Sequence, residues 1–190
     1  ISACLVGSAY AGLLLLESEK IVHLRNPDYN PDLSTFAPLI KKILMPPARK
    51  DIIEKLRERK VTPTSMIDLS DGLANGIMHI CRESGCGARI MEDKLPVNRL
   101  ASEICAKFNL DIMNAVMYGG EDYELLFTIR PSDYDKIKDM DGISFIGFIT
   151  DDDGPYLVNN LGQLIKITGM GWQSFSHSHL HDFSKITNAG

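Results

Sequence analysis

Cysteines and aromatic residues are few in this sequence, no apolar run is long, and neither sign of charge dominates. The four cysteines, Cys4, Cys81, Cys86 and Cys105, form no C-x-x-C pair and no Cys/His zinc spacing. A disulfide framework or a structural zinc is thereby excluded as the organising feature, and reduced thiols in a cytoplasmic protein are expected. No apolar stretch approaches the roughly 18 residues of a membrane span. The strongest run, Leu13 to Leu16, stops at Glu17 and lacks a basic flank, so it does not read as a signal peptide either. A formal net charge of −5 over 190 residues argues against non-specific nucleic-acid binding and against an anionic membrane surface. That leaves a small molecule as the expected ligand. Walker A, G-x-S-x-G and Rossmann patterns are all missing, and no activated nucleophile stands out.

What is present is an ordinary globular composition, 44% hydrophobic and 24% charged, long enough to bury a real core. Residues 1–6 read as a strand, and 8–20 as a helix with Leu13, Leu14 and Leu16 crowding one side. Asn, Pro and Asp between His23 and Asp32 mark a loop. Helices are predicted over 34–44 and 49–59, a strand over 65–69, and a helix over 72–84 with Leu73, Ile77, Ile80 and Cys81 on one face. Residues 88–91 read as a strand, and Asn98 caps a helix to about Phe108. Strands are predicted over 113–118 and 123–129, a short helix capped by Ser132 to about Met140, and a strand over 144–149. A hairpin over 156–158 and 163–167 follows the acidic loop 151–153, which lacks the spacing of a calcium site. Helices and strands interleave without a βαβ rhythm, so the class expected is α+β, a mixed sheet covered by helices. The chain opens at Ile1 within a strand pattern and reads as a fragment. Its organisation is expected to be a domain over 1–175 and a polar, His-containing tail over 176–190.

Two stretches concentrate the chemistry. In Met66-Ile67-Asp68-Leu69-Ser70-Asp71-Gly72-Leu73, an apolar strand meets two carboxylates and a hydroxyl just before a helix. Asp68 and Asp71, three apart across that turn, offer hard oxygen donors to a divalent cation. The first amides of the helix favour phosphate in the same place. The blander reading is that Ser70 or Asp71 caps the helix. Asp68 is harder to explain that way, since an unpaired carboxylate at a strand end is costly to bury. In Gly119-Gly120-Glu121-Asp122-Tyr123-Glu124, the glycines let the backbone approach a ligand. Strand alternation then puts Glu121 and Tyr123 on one face, Asp122 and Glu124 on the other. A glycine bulge with solvated acids is the alternative. Weaker signals are Trp172, which could stack on a flat ring or simply pack; Arg49, which could reach a phosphate or join an ion pair; and alternating His177, His179 and His181.

Taken in order, the two acidic motifs resemble the C-terminal half of thiamine-monophosphate kinase. So do Val6-Gly7-Ser8-Ala9-Tyr10-Ala11-Gly12-Leu13, Pro47-Ala48-Arg49, Ile146-Gly147 and Gly171-Trp172. Cys4 stands where the family pattern has a glycine, and Val6 where it has a leucine. The resemblance places the chain in the superfamily of aminoimidazole-ribonucleotide synthetase and selenophosphate synthetase, whose members have two α+β domains and use ATP. It implies Asp68 and Asp71 as Mg²⁺ ligands, Ser70 on ATP, and Glu121 and Trp172 on thiamine monophosphate. It also implies an N-terminal domain absent here, a homodimeric full-length protein, and little activity in this piece alone. Another synthetase of that superfamily, or a ligand-binding module without chemistry, are the competing functions. Transfer of the γ-phosphoryl of ATP to a phosphate already dianionic near neutral pH requires no general base. It requires metal ions and in-line placement. Carboxylates set among few histidines suit that chemistry.

Overall fold

Alternation along Glu-Leu-Leu-Phe-Thr sends successive side chains to opposite faces of a strand, and this one stretch joins two cores. Leu126 enters a cluster with Leu69, Leu73, Ile77, Ile90 and Leu157, while Phe127 enters another with Ile52, Leu56, Ile137 and Met140. The computed structural model describes residues 1–3 and 6–169. In chain order its elements are β1 (Ser2–Ala3), α1 (Ser8–Arg25), α2 (Ala37–Leu44), α3 (Lys50–Glu58), β2 (Ser65–Leu69), α4 (Leu73–Ser84), β3 (Gly87–Met91), α5 (Arg99–Lys107), α6 (Ile112–Tyr118), β4 (Glu124–Thr128), α7 (Tyr134–Ile137), β5 (Ser144–Phe145), β6 (Gly147–Thr150), β7 (Pro155–Val158) and β8 (Leu164–Lys166).

The strands form two four-stranded sheets, ordered β2-β4-β1-β5 and β6-β3-β7-β8. Every pairing in the first is antiparallel. The second is mixed, with β3 and β7 parallel. Helix α4 packs against strands of both sheets, its Leu73, Ile77 and Ile80 buried between them. A third cluster joins α1, α2 and α5 through Leu14, Leu15, Leu39, Ile104 and Phe108. The expected α+β class therefore holds, with the mixed sheet as one of a pair. Among the described residues no helix is long and apolar enough to cross a membrane.

Several expectations need correction. Residues 113–118 are helical, not extended: Asp111 accepts from the Met113 amide at 2.9 Å and starts α6. A short, mostly apolar run does not by itself distinguish strand from helix, and the cap decides. Helix α1 continues five residues past Lys20 to Arg25, and it buries Leu14 and Leu15 while Leu13 and Leu16 stay half-exposed. The strand predicted over 144–149 breaks at Ile146, its halves joining different sheets. Gly147 makes that switch possible, because a Cβ there would lie 1.9 Å from the Arg89 carbonyl oxygen. Ser132 caps nothing; it lies in a single 3-10 turn, Pro131–Asp133, ahead of the four-residue α7. The predicted strand over 123–129 starts only at Glu124, since Tyr123 has φ 48°.

Candidate functional site

Strand β2 runs antiparallel to β4, with Asp68 opposite Leu125 and Leu69 opposite Glu124. Ile67 and Leu69 face the core against α4, whereas Asp68 follows Met66 on the other face, opposite Leu125 at the edge of the second cluster. The chain then bends through Ser70 and Asp71 and enters α4 at Gly72. Neither Ser70 nor Asp71 caps that helix through its side chain, so the capping alternative fails. Asp68 and Asp71 are both exposed. The expectation that Asp68 carries a burial cost is therefore wrong. The reason is local: Asp68 points away from Ile67 and Leu69, near the end of β2, and its side chain reaches solvent. Neither carboxylate has an ion pair or hydrogen bond among the described residues.

The second motif is fastened to the first. The Glu121 amide donates to Ser70 O at 2.7 Å, and the Tyr123 amide to Leu69 O at 2.8 Å. Gly120, at φ 67°, sits so close that a Cβ would lie 2.7 Å from Ser70 O. Glu121 and Tyr123 are left-handed at φ 60° and 48°, a conformation uncommon for residues with side chains. Acceptance by Glu121 holds the Tyr123 phenol above its ordinary pKa range; burial and the charges of Asp68 and Asp71 add to the effect. The four side chains thus share one electrostatic neighbourhood.

The intervening acids face inward. Asp122 is 2% exposed and accepts from the Gly7 amide at 2.6 Å and the Ala9 amide at 3.0 Å, capping α1 from more than a hundred residues away. Burial pushes its carboxyl up to about 6 even though both amides favour the charged form. Glu124 is buried between Lys42 and Arg49, and Arg49 also holds Asp51 at 3.0 Å. Arg49 therefore takes the ion-pair reading. Sequence reasoning missed the roles of Asp122 and Glu124, and nothing local announces partners so distant along the chain. Asp152, in the acidic loop, accepts from Thr150 and pairs with Arg89. Cys81, Cys86 and Cys105 are free thiols. Trp172, the three tail histidines and Cys4 lie outside the described residues. The last described residue, Gly169, approaches Asn75 and Met78 of α4.

The donor set for a metal is sparse. Among the described residues no group of three or more acids, histidines or cysteines converges, so a closed protein cage is not built here. Two free carboxylates on one turn suit Mg²⁺, which keeps several waters and takes phosphate oxygens as further ligands.

No protein-family model matches the chain. The thiamine-monophosphate kinase of Aquifex aeolicus is 31% identical over 171 residues, covering 90% of this chain and 49% of the relative. That of Buchnera aphidicola subsp. Acyrthosiphon pisum is 35% identical over 153 residues, covering 76% and 42%. This chain belongs to the thiamine-monophosphate kinase family. It spans about half the length of the curated relatives it matches. The structure of AaThiL complexed with AMPPCP and TMP superposes with a TM-score of 0.69 at 26% identity, over 90% of this chain and 49% of that one. Thiamine-monophosphate kinase from Stenotrophomonas maltophilia K279a gives 0.66 at 25% identity, over 82% and 48%. Escherichia coli HypE, 18% identical, gives 0.55 over 88% of this chain and 49% of its own, and shares the fold alone. The fold, shared with these kinases and with HypE, is the aminoimidazole-ribonucleotide synthetase-like fold that the resemblance implied.

Proposed function

We propose that this chain is the C-terminal domain, over 1–175, of an enzyme that transfers the γ-phosphoryl of ATP to thiamine monophosphate, giving thiamine diphosphate and ADP. The observation that carries the reading is the pairing of two carboxylates without partners among the described residues, Asp68 and Asp71, with a Glu121–Tyr123 loop fastened to the same turn. Relatives named for this activity align over most of the chain, and one of them is structurally known with AMPPCP, an ATP analogue, and TMP.

Asp68 and Asp71 would hold Mg²⁺ by one or both carboxylates. Bound there, the ion would supply the positive charge that offsets the repulsion between two anions, the main obstacle to this transfer. Ser70, at the bend between them, offers a hydroxyl to the nucleotide phosphates. Helix α4 begins three residues later, so its first amides and dipole favour anions on the same side. Glu121, with the Tyr123 phenol against it, orients the thiamine phosphate, and Trp172 is assigned to the flat ring of that substrate. A phosphomonoester whose second pKa is about 6 is largely dianionic at neutral pH, so no side chain here has to abstract a proton.

The remaining half of the site and the dimer contact belong to a domain outside this sequence, and the working enzyme is placed in the cytoplasm. In the full-length enzyme, Asp71→Asn is expected to abolish thiamine diphosphate formation from Mg·ATP and thiamine monophosphate. Near-normal turnover would remove Asp71 from the metal site. The 190-residue piece by itself is expected to transfer no phosphate.

A further inference from the structure

Three of the four residues from Gly120 to Tyr123 are left-handed, and two of them carry side chains. Such a conformation persists where surrounding contacts over-determine it. Here the contacts are few and identifiable. The amides of Glu121 and Tyr123 are bound by Ser70 O and Leu69 O. Between them, Asp122 turns the opposite way and buries its carboxylate against two converging donors, the amides of Gly7 and Ala9. Its neighbours there are Lys42, which favours the charge, and Glu124, which opposes it. Two converging N–H groups suit a carboxylate in particular, because each oxygen accepts one bond. An amide in its place would aim an NH₂ at one of the donors.

We propose that Asp122 is a positioning residue: its buried carboxylate locks the left-handed loop that sets Glu121 and Tyr123 beside Asp68 and Asp71. It touches neither substrate nor metal and acts through its two neighbours. The catalytic consequence rests on the kinase reading; the structural one does not. Because Glu121 serves the acceptor, loosening the lock disturbs thiamine monophosphate more than ATP.

The test uses the full-length enzyme carrying Asp122→Asn, with KM measured separately for the two substrates and amide hydrogen exchange read at Glu121 and Tyr123. Exchange at both amides is expected to quicken by about tenfold or more. KM for thiamine monophosphate is expected to rise by about fivefold or more while that for ATP stays within about twofold. Asp122→Glu, which keeps a carboxylate but shifts it off the two amides, should give the same signature more weakly and serves if the first variant folds poorly. Asn98→Ala removes the cap of α5 and lowers the melting temperature, and it should leave both KM values and the loop exchange unchanged. Unaltered exchange at Glu121 and Tyr123 in Asp122→Asn, or an unchanged KM for thiamine monophosphate, overturns the proposal. If the wild-type enzyme fails to phosphorylate thiamine monophosphate, the kinase reading falls while the exchange result still decides the loop.

Discussion

Asp68, Asp71 and Glu121 stand on the open side of two interlocked loops, whereas Asp122 and Glu124, one and three residues past Glu121, are buried. The outer carboxylates of Asp68 and Asp71 have no partner among the described residues. The inner ones are saturated, Asp122 by two backbone amides and Glu124 by Lys42 and Arg49. The residue types are the same and the spacing is a few residues. What separates them is where each side chain goes, outward to water or inward against the start of α1 and the cations of Lys42 and Arg49. An acid that costs nothing to leave in water is available for a cation; an acid taken out of water must be fully bonded, and then serves the fold.

Substitutions sharpen that contrast when stability and activity are read together. The outer set should lose activity without losing stability. For Asp71→Asn in the full-length enzyme, thiamine diphosphate formation is expected to fall by about 10²-fold or more, with a chemical denaturation midpoint close to wild type, since an exposed unpaired side chain contributes little. A variant that unfolds in step with its loss of activity would erase the distinction. The inner set should do the reverse. Glu124→Ala removes the buried carboxylate that two half-buried cations share, and urea denaturation should show a loss of about 3–5 kcal/mol. Glu124→Gln, which keeps the shape, should lose less.

Asp122 adds a signature in pH. Its carboxyl is raised from 3.8 to about 6, chiefly by burial, so the folded state binds the proton more tightly than the unfolded state does. The stability it contributes is complete below about 4 and is lost as pH rises through about 6. The interval corresponds to roughly 3 kcal/mol at most. Asp51 has the opposite sign, its carboxyl lowered chiefly by Arg49, so it gains stability as pH rises. The difference between wild type and Asp122→Asn isolates the first term: plotted against pH, it should slope downward from about 4 to about 6 and be flat elsewhere. A difference independent of pH would place the carboxylate in water. The smallest effect belongs to a cap. Asp111→Ala should cost about 1 kcal/mol in thermal or urea melts, and no loss there would mean that α6 is held by packing alone.

Much of the fold was legible because its signals are local. Strand β2 has the predicted bounds, 65–69, since its apolar run stops at the acidic turn. Helix α4 follows from its buried stripe, α5 from the Asn98 cap, whose side chain accepts from Leu100, and the β7–β8 hairpin from its turn residues. Asp68 and Asp71 were visible as carboxylates at a strand-to-helix bend, though their exposure was not. Helix α6 was misread because a short apolar run fits either period. The second motif was read only in part. Simple alternation grouped Glu121 with Tyr123 and Asp122 with Glu124, which the burial bears out, but it could not show that the strand begins only at Glu124. Nor could it show that Asp122 caps α1, a contact bridging residues 113 and 115 apart.

The most direct test titrates AMPPCP into the full-length protein by calorimetry, with and without Mg²⁺, for wild type and for Asp68→Asn/Asp71→Asn. If these two carboxylates hold the metal–nucleotide complex, the gain in affinity that Mg²⁺ brings to wild type disappears in the double variant. The same Mg²⁺-dependent gain in both proteins would contradict the assignment.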